Sequence, residues 1–224
     1  MNTNLEELCV KINEAKRHFN SSKAKIDGFE FKTLDFLSMP FNGFAVFSEE
    51  EYDPKLEKLD DYQKKYRYYY YEDFRGPEEK GVIIIMFNPS SASPYKRDKT
   101  IKNCNWLLRK SGYKDMEIIN LFADRNPSAS KIKRKSNELN KKFLEVFLKN
   151  RPDSDIVFAW GYGKEDKYEA EINYVKNLVK NNPQYIISVN QKGIDKICSG
   201  SHHPAPSAWT NFGNFYLAAE LKKL

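Results

Sequence analysis

Gly81-Val82-Ile83-Ile84-Ile85-Met86-Phe87-Asn88-Pro89-Ser90 is the stretch whose reading decides the fold of this chain. A continuous apolar run that opens on a glycine and stops at an Asn-Pro pair reads as a strand buried on both faces, as at the centre of a parallel sheet, feeding a loop. Working outward, residues 116–121, 155–160 and 185–189 repeat the pattern as short apolar strands. Between them lie segments of helical period. Residues 100–110 set Ile101, Cys104, Leu107 and Leu108 inward, residues 137–148 set Leu139, Phe143, Val146 and Phe147 inward, and residues 164–179 do so with Tyr168, Ile172, Val175 and Leu178. A last helix is expected around residues 212–224. Strands alternating with helices of this length imply an α/β fold, a short and mostly parallel central sheet covered on both faces. Ligands then bind beyond the carboxyl ends of the strands. Asn88, Asn120, Trp160 and the loop with His203 all fall there, so they are expected to line one cleft.

Upstream, residues 4–19 read as an amphipathic helix with Leu5, Leu8, Ile12, Ala15 and Phe19 on one stripe. The Phe-rich segment that follows, broken by Pro40 and Gly43, reads either as a short helix and a strand or as irregular aromatic packing. Residues 49–61 are strongly charged and contain Pro54, as a linker or surface turn would. The expected organisation is an accessory helical and Phe-rich segment over residues 1–60 and an α/β domain over residues 61–224. The run Tyr66-Arg67-Tyr68-Tyr69-Tyr70-Tyr71 reads as a strand or aromatic wall. Its rings suit core packing first, and stacking on bases second.

The 224 residues hold 37 Lys and Arg against 31 Asp and Glu, a formal charge of +6 with pI near 9.0, and a mean hydropathy of -0.73. The excess is local. Residues 96–151 carry 16 basic and 6 acidic side chains, a balance of +10, and the remainder sums to -4. Such a stretch suits phosphates near a cleft, or a solvated lysine face. No run approaches the roughly 18 apolar residues of a membrane span, and charges interrupt the N-terminus, so a cytoplasmic protein without a membrane partner is expected. Cys9, Cys104 and Cys198 are too few and too far apart for a disulfide framework or a thiolate cluster.

P-loop, GxGxxG, HExxH and GxSxG motifs are absent. Adjacent His202 and His203 have no third ligand at metal spacing, so no metal and no cofactor are expected. A histidine stiffened by flanking prolines suits hydrogen bonding to a developing anion. The amides of Asn88 and Asn120 offer donors and an acceptor for a water or a base edge.

YRYYYYEDFRG, MFNPSSAS, Asp98 with Thr100, IINLFADRNPSA, IVFAWGYG and HHPAP occur in an order that resembles a bacterial and phage domain family of unknown function, number 1643, over residues 66–206. More broadly, the chain is similar to the uracil-DNA glycosylase superfamily through Asn88-Pro89, Asn120, Trp160-Gly161 and His203-Pro204-Ala205-Pro206. That resemblance implies a three-layer α/β/α fold and hydrolysis of an N-glycosidic bond on a base flipped out of DNA. It implies catalytic roles for Asn88 and His203; Asp98, which matches the family of unknown function instead, is the candidate for the catalytic carboxylate missing at residue 88. Asn120 would discriminate the base, with Phe87, Tyr95 and Phe122 as candidates to stack on it. Ser90, Arg125, Ser201, Pro204 and Ala205 would contact DNA or a phosphate. DNA or a nucleotide is the implied partner. A non-catalytic nucleic-acid or nucleotide binding protein is the competing reading, and a protein partner is a third, through the Phe-rich segment.

Overall fold

Residues 2–17, 25–34, 42–50, 64–74, 80–89, 92–94, 96–125, 138–161, 164, 166–189 and 219–224 are described by the computed structural model. They form nine strands and four helices: α1 (Asn2–Arg17), β1 (Lys25–Ile26), β2 (Phe29–Thr33), β3 (Asn42–Ser48), β4 (Arg67–Asp73), β5 (Val82–Met86), α2 (Lys99–Lys110), β6 (Asp115–Asn120), α3 (Glu138–Lys149), β7 (Asp155–Ala159), α4 (Glu169–Leu178), β8 (Gln184–Val189) and β9 (Ala219–Lys223). All nine strands join one sheet in the order β1-β2-β3-β4-β6-β5-β7-β8-β9.

The four apolar runs do form neighbouring parallel strands. β5 pairs in parallel with β6 on one side and β7 on the other, and β7 with β8. β5, β6 and β7 are each followed by a helix, α2, α3 and α4 in turn, that carries the chain back along the sheet, the connection a parallel pair requires. The expectation of a short, mostly parallel sheet is nonetheless corrected. The other five pairings are antiparallel, among them β3 on β4, β4 on β6 and β9 on β8. The Phe-rich segment, which reads either as a short helix and a strand or as irregular packing, contributes the strands β2 and β3, with β3 paired antiparallel to both β2 and β4. The segment set apart as accessory therefore shares one sheet with the rest, and the boundary near residue 60 lies outside the described residues. The expected terminal helix is also corrected, because residues 219–223 form a strand with Tyr185 opposite Lys223 and Val189 opposite Ala219. Pairing to an open sheet edge there overrides the helix-forming composition of Ala219-Glu220-Leu221.

Period-two alternation divides the core between the two faces of the sheet. Ile83, Ile85, Phe87, Ile119 and Phe158 pack with α1, α3 and α4, whereas Val82, Ile84, Met86, Met116, Ile118 and Val157 pack with α2. On α3 the buried stripe is Phe143, Leu144, Phe147 and Leu148, and Leu139, expected inward, is exposed. The tyrosines of β4 are buried on both faces, so they are core residues and not a wall open to bases. Their hydroxyls need partners there, and carboxylates supply them. Tyr69 donates to Glu117 Oε2 at 2.7 Å, Tyr71 to Asp115 Oδ2 at 3.3 Å, and Tyr70 to Glu72. Gly81 precedes β5 because a Cβ at that position would collide with the Asp115 carboxylate. No described helix is long and apolar enough to cross a membrane.

Glu117 anchors α1 to the sheet. Its carboxylate, buried on β6, pairs with Lys16 of α1 at 2.7 Å and with Arg151 at 3.4 Å. Burial by itself would raise its pKa, but the charges of Lys16 and Arg151 and the hydrogen bonds from Lys16 and Tyr69 outweigh that and hold it below its ordinary 4.5. A depressed folded-state pKa stabilises the protein above the unfolded value, and that share is lost as pH falls through the folded value. Glu117→Gln is therefore expected to destabilise the protein at neutral pH by ~2–4 kcal/mol. Urea unfolding at a series of pH values should show the difference from wild type shrinking below about pH 4.5, the ordinary carboxyl value.

Candidate functional site

The carboxyl ends of β5, β6 and β7 lie side by side, with Met86 opposite both Asn120 and Ala159. Backbone pairing continues beyond the strands, from Leu121 N to Met86 O at 2.9 Å and from Phe122 N to Phe87 O at 3.0 Å. Asn88 and Asn120 are thereby brought together at one sheet edge. Trp160 closes β7, fully buried, and Gly161 turns the chain away at φ +100°, a conformation that favours glycine.

Asn120 is the unusual residue of this edge. It is 0% exposed, and neither Oδ1 nor Nδ2 has a hydrogen-bond partner among the described residues. Alternation with Met116 and Ile118 aims its side chain to the α2 face. Leaving a buried amide unsatisfied costs roughly 1–3 kcal/mol. The backbone of the same residue is held firmly, since Asn140 of α3 donates from Nδ2 to the carbonyls of both Asn120 and Leu121 at 3.0 Å. An anchored main chain thus carries an unspent donor and acceptor.

Asn88 is half-buried, and its Nδ2 donates to Pro89 O at 2.9 Å and to Asp124 O at 3.3 Å. Phe87 and Phe122 are together, but in the core on the α3 and α4 face, where they pack with each other at 5.2 Å and with Tyr168 at 4.6 and 5.6 Å between centroids. Lys164 Nζ lies 4.4 Å from the Phe87 ring centroid, and burial with the nearby Lys167 charge lowers its pKa. Asp98 is the N-cap of α2, its Oδ1 accepting from Ile101 N at 2.9 Å. Ser90, Tyr95, Ser201, His203, Pro204 and Ala205 lie outside the described residues. Among the described residues no group of His, Cys, Asp and Glu is placed to hold a metal.

Several polar residues of the α2 face were not singled out from the sequence. Glu72, 0% exposed on β4, accepts from Tyr70, from Arg97 Nε at 2.7 Å and from Asn105 Nδ2 at 2.7 Å. Arg67 opens β4 and donates from its backbone to Ala123 O at 2.9 Å; Arg125, which the sequence does single out as a DNA or phosphate contact, is buried and donates from its own backbone to Lys65 O at 3.0 Å. Their guanidiniums stand together beside the end of β6, both reaching Ala92 O, at 3.4 and 3.5 Å. The one signal available was a lone cation inside a tyrosine run.

Asn88, Asn120 and Arg125 at or just beyond the carboxyl ends of β5 and β6, with Arg67 at the start of antiparallel β4 beside them, make a candidate polar site on an α/β scaffold. The chain belongs to the family described as Protein of unknown function (DUF1643), whose model matches residues 67–204, more than half of its length. No curated protein and no solved structure matches it.

If the Asn120 amide is kept for a ligand, it burdens the unliganded protein. Asn120→Leu, close to isosteric and apolar, is expected to leave stability unchanged or raise it by ~1–2 kcal/mol. Asn140→Ala, which removes two hydrogen bonds from the same strand end, is expected to lower it by ~1–3 kcal/mol. Thermal unfolding of the two variants beside wild type checks both signs.

Proposed function

We propose that this chain is an N-glycosidic hydrolase of the DNA-glycosylase type, acting on a nucleobase flipped out of DNA or carried by a nucleotide. The buried Asn120 amide, without a hydrogen-bond partner among the described residues, carries this reading. An amide that presents both a donor and an acceptor on a fixed backbone matches the hydrogen-bonding edge of a base. Parallel strands β6-β5-β7-β8 with helices against both faces support the likeness to the three-layer α/β/α fold of uracil-DNA glycosylases. In the reaction the bond from C1′ to the base nitrogen breaks and the electron pair leaves with the base. Water adds to C1′ as a hydroxyl that keeps one of its protons, and its other proton neutralises the departing base. Asn88 would orient the water, and His203 would hydrogen-bond the departing base.

A non-catalytic nucleobase binder is the second reading. It is favoured by Asp98, whose Oδ1 accepts a hydrogen bond as a helix cap, and by Asn88, whose Nδ2 already donates to two carbonyls.

Single- and double-stranded DNA and nucleotides with normal, deaminated and hypermodified bases, incubated with the protein and read by mass spectrometry of released base, separate the two. Hydrolysis is expected to fall ~10²–10³-fold in His203→Ala and Asn88→Ala. Binding without release, lost in Asn120→Ala, supports the second reading. Release that is equal in wild type and all three variants removes the site assignment.

A further inference from the structure

We infer that the ligand of this site carries a phosphate group, and that the Arg67 guanidinium, with Arg125 beside it, receives that phosphate at the carboxyl edge of β6. Arg67 is 2% and Arg125 1% exposed. Buried guanidiniums are ordinarily paired with carboxylates. Arg67 has no carboxylate at ion-pair distance among the described residues, and its Nε has no partner there. Its Nη1 donates to Ala92 O over a long 3.4 Å, and the same carbonyl takes Arg125 Nη2 at 3.5 Å, so two like charges converge on one neutral acceptor. Arg125 also donates from Nη1 to Lys64 O at 2.8 Å. Asp98 acts on Arg67 only through its field while it caps α2. Burial, with the Arg125 charge acting the same way, brings Arg67 down to about 10, so it remains charged at neutral pH.

Phosphate is the anion this arrangement suits. A guanidinium fork binds two phosphate oxygens side by side, and a dianion beside Arg67 also offsets the repulsion between its charge and that of Arg125. The Tyr70 ring, 5.2 Å from the Arg67 guanidinium, and the Phe47 ring, 5.6 Å from that of Arg125, back the pair with apolar surface. Position ties the pair to Asn120. Tyr70 is opposite Ile118 and Tyr66 bridges Asp124, so Arg67 and Asn120 stand on adjacent strands between the same two rungs. Both face α2, since Arg67 contacts Tyr70 and Ala92 of that core. A nucleotide lying across these strands sets its base on Asn120 and its phosphate on Arg67. The base half rests on the proposed function, and the phosphate half does not.

Thermal unfolding of the full chain with inorganic phosphate, against chloride of equal ionic strength, tests the anion site. Phosphate should raise the wild-type midpoint by a few degrees. Arg67→Met should be at least as stable as wild type without phosphate and should show no phosphate shift. An Arg67→Met protein that is less stable, or that keeps the shift, overturns the assignment. Calorimetric titration with deoxynucleoside 5′-monophosphates and the matching nucleosides should show the monophosphates binding at least 10-fold tighter. Arg67→Met should remove that preference, and equal binding of the two in wild type also overturns it. Preference for the monophosphate over a single-stranded oligonucleotide assigns a free nucleotide, and the reverse assigns a DNA backbone phosphate. A phosphate shift with no nucleoside binding, in wild type and in Asn120→Ala, removes the nucleobase reading and leaves the anion site standing.

Discussion

β5 carries no polar side chain, so neither of its faces can meet water. Its alternate residues Ile83 and Ile85 must be covered from one side and Val82, Ile84 and Met86 from the other. That requirement puts helices on both faces, makes β5 a central strand with a neighbour on each edge, and forces the crossovers that make those neighbours parallel. Parallel strands end on one edge of the sheet, and their loops must start there. The gathering of Asn88, Asn120, Trp160 and Arg125 in space is therefore a consequence of burying one apolar run.

The same burial creates the tension at the site. A fold that excludes water from the α2 face strengthens every polar contact made there and penalises every one left unmade. Glu72 is fully satisfied by Tyr70, Arg97 and Asn105 and fixes the ends of β4 and α2 relative to one another. A short distance away on the same face, Asn120 and Arg67 retain unsatisfied nitrogen atoms among the described residues.

Much of this was legible in the sequence where local pattern and tertiary role agree. The four strands β5 to β8 are short apolar runs with no competing helical period, and α1, α2 and α4 show clear stripes. Asn120 stood out because an asparagine closes an apolar strand. Legibility failed where the partner, and not the segment, decides. β2 alternates Phe with Glu and Lys because one of its faces is partly wet, and β9 is a strand only because β8 offers it an edge. Arg67 and Glu72 are embedded in a tyrosine-rich strand whose composition speaks for packing, and their chemistry appears only when Ala92, Arg97, Asn105 and Arg125 are brought to them from elsewhere in the chain. Leu139 fits the helical stripe by spacing yet faces out, since Asn140 takes the inward position of that turn and bonds the carbonyls of Asn120 and Leu121.

Chain order and spatial order differ at the middle of the sheet. β4 precedes β5 in the chain, but β6 separates them in space. On the ribosome, β5 therefore emerges with no strand to join, since β4 reserves its edge for β6 and β7 is still unmade. Until residue 120 has left the exit tunnel, a five-residue Val-Ile-Ile-Ile-Met strand has two open edges and high β-propensity, the combination that seeds intermolecular strand pairing. The interval between synthesis of β5 and of β6 is thus the time at which this protein is most prone to aggregate. Production at low temperature or with a holdase that binds short apolar strands acts on that interval and leaves the finished fold untouched.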